Sequence, residues 1–159
     1  MAIHPTAQVD TSAQLGDGVE IGAWSIVGPG VVLEAGVRLA SHVLIVRDTT
    51  LGLDTTVHPF AVVGGDPQHA GYKGETTRLE VGTRCLIREH ATLNRGTPGG
   101  GGLTVVGDDC RMWVMTRGSG APSPSPTTPP WAGIPKSATG CFWAAFAPST
   151  SSAAWGPGR

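Results

Sequence analysis

An aliphatic residue falls at every sixth position from Ile3 to Val63: Ile3, Val9, Leu15, Ile21, Val27, Leu33, Leu39, Ile45, Leu51, Val57 and Val63. The residue two places before each is Ala, Ser, Thr or Val, apart from Met1. The residue after is often small or turn-compatible, as in Gly16, Gly22, Gly28, Gly52 and Gly64. A period of six fits neither an amphipathic helix, which repeats at about 3.6, nor an ordinary array of hairpins. A hexapeptide period marks a parallel β-helix, in which three short strands and three corners close one coil. The aliphatic column points to the axis, and the small residue two places earlier points inward near a corner. Backbone hydrogen bonds run between coils, so each rung is satisfied only by its neighbours.

The pattern breaks at Gly64 into GGDPQHAGYKGETTR, a loop over 64–78 whose Gly, Pro and polar residues read as an excursion from a corner. It resumes in phase at Val81, Ile87 and Leu93, and a second insertion, GTPGGGGL, spans 96–103. The four consecutive glycines of that insertion cannot pack a core. The repeat returns at Val106 and fades after Met112. The organisation read from this is a β-helix over 1–110 followed by a tail over 111–159.

Composition narrows the function classes. Eleven basic and twelve acidic residues leave a net charge of −1, which gives no nucleic-acid or membrane surface. The start, MAIHPTAQVD, has neither the basic flank nor the apolar core of a signal peptide, and no run approaches the roughly 18 apolar residues of a membrane span. Cys85, Cys110 and Cys141 form no CxxC pair, and the reading is a reduced, cytoplasmic setting.

From Arg111 the composition changes. The tail holds four of the five Trp, most of the prolines and no acidic residue. A Pro/Ser-rich disordered tail is one reading, but such segments are usually poor in large aromatics. The genetic code offers another. Met112 and Trp113 have one codon each, and stepping back one base through Arg111–Thr116 forces Val, Gly and Asp. With C at the wobble positions the shifted peptide is His-Val-Gly-His-Asp. The same shift over Thr127–Ile134 gives Asp-Ala-small-Leu-Gly-Gly-His, and over Ala147–Ser152 it permits Ala-Val-His-Gln-Phe.

The repeat, the loop DPQHAGYKGETTR and the segment IREHATLNRGTPGGGGLTVVGDD together resemble the UDP-N-acetylglucosamine acyltransferases that open lipid A synthesis. The resemblance covers about residues 2–110. It implies a left-handed β-helix, all-β and here truncated, with an irregular Pro/Ser-rich tail. It also implies a homotrimer with sites in the clefts between subunits. The family carries a motif close to Ala-His-x-x-His-Asp soon after VGDD, then Ala-Thr-Leu-Gly-Gly-His and Val-His-Gln-Phe. All three occur in order in the shifted frame, which points to a frameshift near Cys110. Such enzymes move a 3-hydroxyacyl chain from acyl carrier protein to the 3-hydroxyl of the glucosamine, with histidine as general base. The resemblance implies no metal or redox cofactor.

The chain departs from that family where the chemistry sits. No histidine follows His90, and the base would fall near Arg117–Gly120, where an always-protonated Arg cannot serve. No catalytic residue is assigned, and the chain is expected to be inactive, with later coils missing. Gln68 and His69 stand where the family's loop has a Gln-Asp pair that contacts the sugar or acyl chain; Gln68 matches and His69 departs. Tyr72, Lys73 and Glu75 are read as ordering the loop. Asn94 and Arg95 match the strand beside the site in part, and Arg95 is open between a phosphate contact and a solvated face.

Two rival enzymes share the fold. A later sugar N-acyltransferase would need an extra N-terminal domain. A γ-type carbonic anhydrase binds zinc through three histidines of neighbouring subunits, and zinc needs convergent ligands at about 2 Å. His42, His58 and His90 lie 16 and 32 residues apart, not whole coils. Cys85 takes the small inward position before Ile87 and reads as core. The nucleotide sequence of codons 105–120 tests the shifted frame: the expected result is C at both free wobble positions, and bases that encode neither histidine contradict it.

Overall fold

A computed structural model describes residues 1–112 and, further on, the two-residue strand Phe142–Trp143. The sequence-predicted tail, including the Arg117–Gly120 position, otherwise lies outside the described residues. Every aliphatic of the sixfold series closes or lies in a short strand. In chain order these are β1 (Ala2–Ile3), β2 (Gln8–Val9), β3 (Gln14–Leu15), β4 (Glu20–Ile21), β5 (Ile26–Val27) and β6 (Val32–Leu33). Then come β7 (Arg38–Leu39), β8 (Leu44–Ile45), β9 (Thr49–Leu51), β10 (Thr56–Val57) and β11 (Val62–Gly65). Beyond the first loop lie β12 (Arg78–Val81), β13 (Leu86–Ile87), β14 (Thr92–Asn94), β15 (Leu103–Val106), β16 (Arg111–Met112) and β17 (Phe142–Trp143).

Through β16 each strand pairs in parallel with the third one along, which makes three faces, and β17 pairs with β16. The first face runs β1-β4-β7-β10-β13-β16-β17, the second β2-β5-β8-β11-β14 and the third β3-β6-β9-β12-β15. The architecture is a left-handed parallel β-helix. Before the loop, partners are eighteen residues apart, as in Ile21↔Leu39 and Ile45↔Val63. Val57 instead pairs with Ile87, thirty residues on, which leaves the twelve residues 66–77 outside the coil. Val81 pairs with Val106, twenty-five on, which leaves the seven residues 96–102 outside. Both insertions leave between the second and third faces, one coil apart, and the core resumes in register after each. The coil takes in Arg111 and Met112, which pair with Leu86 and Ile87.

The axis is filled as the period predicts. Ile21, Val27, Leu33, Leu39, Ile45, Leu51, Val57 and Val63 are buried, as are Val81, Ile87, Leu93 and Met112. The first rung differs: Ile3 is 42% exposed and Val9 and Leu15 are half-buried, because only one coil stacks on them. The second inward column mixes apolar and hydroxyl residues. Ser25 donates to the Ala40 carbonyl at 2.7 Å and accepts from the Val43 N–H at 3.1 Å. Thr55 does the same before the first face, with the Gly82 carbonyl at 3.0 Å and the Cys85 N–H at 3.2 Å. Small hydroxyls therefore satisfy corner backbone that the strands cannot reach. Cys85 and Cys110 stack in this column, both buried.

Two features of the corners explain residues that the period leaves open. A Cβ on Gly28 would sit 1.8 Å from the Val46 carbonyl oxygen of the next coil, so close stacking demands glycine there. The third residue after most inward aliphatics has positive φ; Thr6 and Ser12 in the first coil, and Asp66 and Gly96 where the excursions leave, are the exceptions. It is glycine at Gly18, Gly30 and Gly36, but Trp24, His42, Asp48, Asp54, Phe60, Arg84, His90 and Asp109 elsewhere, with φ of 45–62°. Those side chains stack outside the coil. The Phe60 ring lies between His42 and His90, with centroids 5.1 and 5.2 Å away. On another corner Arg84 clasps Asp109 with two bonds of 2.8 Å. His42 and His90 thus fall in one column, because the twelve-residue excursion restores the spacing that a count along the chain hides. Phe60 separates them, and no group of three metal-binding side chains occurs among the described residues.

Leu33→Ala is expected to cost about 2–5 kcal/mol, as large-to-small changes in closed cores do. Trp24→Gly, at an exposed left-handed corner, is expected to be neutral or to stabilise by up to about 1 kcal/mol. Urea unfolding checks both, and equal losses would contradict the assignment of inside and corner.

Candidate functional site

The two excursions and the turn of the preceding coil, Arg47–Asp48, share one corner. Gly64, at φ 78°, turns the chain out of β11, and Pro67 tucks the start of the loop inward. The loop then folds on itself. The His69 N–H donates to the Pro67 carbonyl at 2.8 Å and the Tyr72 N–H to the His69 carbonyl at 2.9 Å. The Lys73 N–H donates to the Glu75 carboxylate at 2.8 Å, and the Tyr72 hydroxyl donates to the Glu75 carbonyl at 3.1 Å. Tyr72 and Glu75 therefore order the loop, while the Lys73 side chain stays exposed.

At the crest, Gln68 and His69 are both exposed. The Gly71 N–H donates to His69 Nδ1 at 3.1 Å, which makes Nδ1 an acceptor and leaves Nε2–H of neutral imidazole as an outward donor. The Gln68 amide makes no hydrogen bond among the described residues, so its donors and acceptor all face solvent. Together they present two adjacent groups suited to hydroxyl or amide partners.

Arg95 lies behind this crest, not on it. Its side chain has no exposed surface, unlike the solvated-face alternative. Its Nε donates to the Thr77 hydroxyl at 3.3 Å, one terminal nitrogen donates to the Gly64 carbonyl, and the other donates to Asp66 and to the Tyr72 hydroxyl. Its backbone N–H donates to the Gly65 carbonyl at 2.9 Å. Asn94, next to it on β14, donates its side-chain amide to the Asp66 carbonyl. A buried guanidinium is tolerated only when so fully partnered. Arg47 reaches the same cluster from the coil above but stays half-exposed, 3.4 Å from the Tyr72 hydroxyl and 3.8 Å from Asp66.

The structure thus brings Gln68 and His69 together at the crest and sets Arg95 below them. Asp66, Thr77 and Arg47 complete the cluster and were not singled out by the sequence. The length of the insertion is the only clue to them, since a twelve-residue loop needs tying at its feet. A cavity of about 400 Å³ opens on the other side of the loop feet, lined by Asp48, Thr50, Thr77, Arg78, Glu80 and Gly102. Neither Gln68 nor His69 lines it.

A family model for the bacterial transferase hexapeptide, six repeats, matches residues 12–47. An acyl-[acyl-carrier-protein]–UDP-N-acetylglucosamine O-acyltransferase of Azorhizobium caulinodans is 54% identical over 115 residues, 72% of this chain and 42% of that protein. The crystal structure of the corresponding acyltransferase of Acinetobacter baumannii superposes with a TM-score of 0.69 at 42% identity, covering 72% of this chain and 44% of its own. That of Moraxella catarrhalis gives 0.69 at 40% identity, over 70% and 44%. The matched stretch belongs to the N-terminal part of the UDP-N-acetylglucosamine acyltransferase family. The chain spans about two fifths of the length of the curated relatives it matches.

The loop's own order is expected to depend on pH. The Lys73 N–H holds the Glu75 carboxyl below its usual range, so its contribution is full above that range and is lost as pH falls through the depressed value. Amide exchange at Lys73, followed from pH 6 to 3 and corrected for intrinsic rates, is expected to lose protection in acid. Glu75→Gln should remove that pH dependence, and an unchanged acid loss in the variant would contradict the assignment.

Proposed function

We propose that this chain is a non-catalytic N-terminal portion of a UDP-N-acetylglucosamine acyltransferase, one that keeps the sugar-nucleotide-facing loop without the general base. In the whole enzyme the reaction would be transfer of a 3-hydroxyacyl chain from acyl carrier protein to the 3-hydroxyl of UDP-N-acetylglucosamine, in lipid A synthesis and in the cytoplasm. Gln68 and His69 would meet the sugar or the acyl chain, with Arg95 holding the strand beside them. The observation that carries the reading is the intact loop over 66–77, seated on a coil whose relatives carry this activity in their names. The missing base follows from the sequence: its histidines are His4, His42, His58, His69 and His90. His69, on an exposed loop, is bound to its own turn and among the described residues has no hydrogen-bonded carboxylate to orient it. Among the described residues no helix is long and apolar enough to cross a membrane.

Assembly forms part of the proposal. The outward residues of the second face, Ile26, Leu44 and Val62, stack in register as an apolar column, whereas the first face presents Glu20 and Arg38 as an ion pair. Trp24 and Phe60, 61% and 52% exposed, edge that column on the adjoining corner. An apolar face of this kind fits packing against copies of the chain, as a homotrimer. The same face supports a second reading, a coil that joins trimers of the intact enzyme and blocks them.

Purified chain is expected to bind UDP-N-acetylglucosamine weakly and to show no acyl transfer from 3-hydroxyacyl carrier protein. Sedimentation should give a trimer, and Ile26→Lys with Val62→Lys should give monomer. Measurable turnover would overturn the non-catalytic reading, and a wild-type monomer would overturn the assembly.

A further inference from the structure

We propose that Arg95 is a positioning residue, a buried latch that fixes the 66–77 loop on the coil and so sets the places of Gln68 and His69. This rests on the sugar-nucleotide reading for its purpose but not for its geometry. The loop leaves at Gly64 and returns at Arg78, and Arg95 bonds its exit, its body and its return at once. Gly64 and Asp66 lie at the exit, Tyr72 in the body and Thr77 at the return. No other side chain among the described residues hydrogen-bonds or ion-pairs with all three parts.

The latch is one-sided in a useful way. Arg95 directly follows β14, which is locked into the second face by Val63↔Leu93 pairing, and its side chain is wholly buried. Asp66, by contrast, is 63% exposed, and Tyr72 only half-buried. The rigid partner is thus the coil and the adjustable one is the loop. Asp66 carries the charge that keeps the guanidinium compensated, and the Tyr72 hydroxyl relays the hold to the Glu75 carbonyl. Loss of any one contact frees loop and not coil, because the sheet bonds of β11, β12 and β14 do not depend on it. A lysine cannot replace the fork: its single ammonium reaches one of these directions at a time.

Lys73, exposed at the middle of the loop, offers a direct readout through trypsin. In the full chain, cleavage after Lys73 is expected to be at least tenfold faster in Asp66→Asn and Tyr72→Phe than in the wild type. Cleavage after Arg38, on the coil, should stay unchanged in both, and the urea midpoint should stay unchanged in Tyr72→Phe, which keeps the charge pair. Arg95→Lys should fall between wild type and Arg95→Met; if Arg95→Met fails to fold, the two loop variants decide. Wild-type cleavage rates at Lys73 in both loop variants would overturn the latch. Titration with UDP-N-acetylglucosamine is read separately, and affinity should fall in the order in which cleavage rises. If the wild type binds none while the cleavage order holds, the latch stands and the sugar-nucleotide reading falls. If all variants bind as the wild type does despite faster cleavage, the loop is latched but does not set the ligand groups, and the positioning role falls.

Discussion

The structure depends on one constraint: a rung of two to four residues cannot satisfy its own backbone. Between the end rungs, backbone N–H and carbonyl groups find partners one coil above or below, as in Gly22 N–H to the Leu39 carbonyl and Ala40 N–H to the Val57 carbonyl, at 2.8 and 2.9 Å. The coils must therefore stack in register over their whole length. Any residue that points to the axis then meets its counterpart from the next coil at the rung spacing, roughly 4.8 Å. Aliphatics fill that line without polar atoms, each contributing about 1.5–3 kcal/mol on burial. The same closeness leaves no room for a Cβ at Gly28.

That constraint also decides where a functional group can be added. An insertion on a face would break the ladder, whereas one at a corner leaves both neighbouring strands paired. Both excursions obey this, with β12 and β15 returning to the third face in register. A loop so placed has no sheet of its own to order it, and a buried guanidinium takes over that task. The cost of desolvating Arg95 is offset by one carboxylate, a backbone carbonyl and two hydroxyls.

How much of this was legible in the sequence follows from the same physics. The axis was legible, since only branched aliphatics suit a closed line, and the six-residue step survives in phase through Leu93. The loops were legible as breaks in that step. The left-handed corner column was not, because Trp24, His42, Phe60 and His90 occupy positions where glycine is the expected signal. The stacking of Phe60 between His42 and His90 compensates for part of the backbone strain at those three corners. Arg95 was illegible for the opposite reason. It lies two residues after the inward Leu93, just past the end of β14 where the second excursion leaves, and a charged residue there ordinarily reaches water; only the loop folded over it makes it interior. Gln68 and His69 were picked out by resemblance alone; their exposure at the crest is a matter of geometry that no periodicity encodes.

The central claim is the stack itself, and distances between labels along the first face test it most directly. Outward positions Ala2, Glu20 and Arg111 lie on β1, β4 and β16, so Ala2 and Arg111 are five rungs apart and Glu20 and Arg111 four. With Cys141 replaced by serine and the labelled chain diluted in unlabelled chain, pulsed electron spin resonance should give about 24 Å and about 19 Å, each narrow, before allowance for the label arms. Two distances that do not differ by one rung, or broad distributions reaching far beyond these values, would contradict the stacked coil.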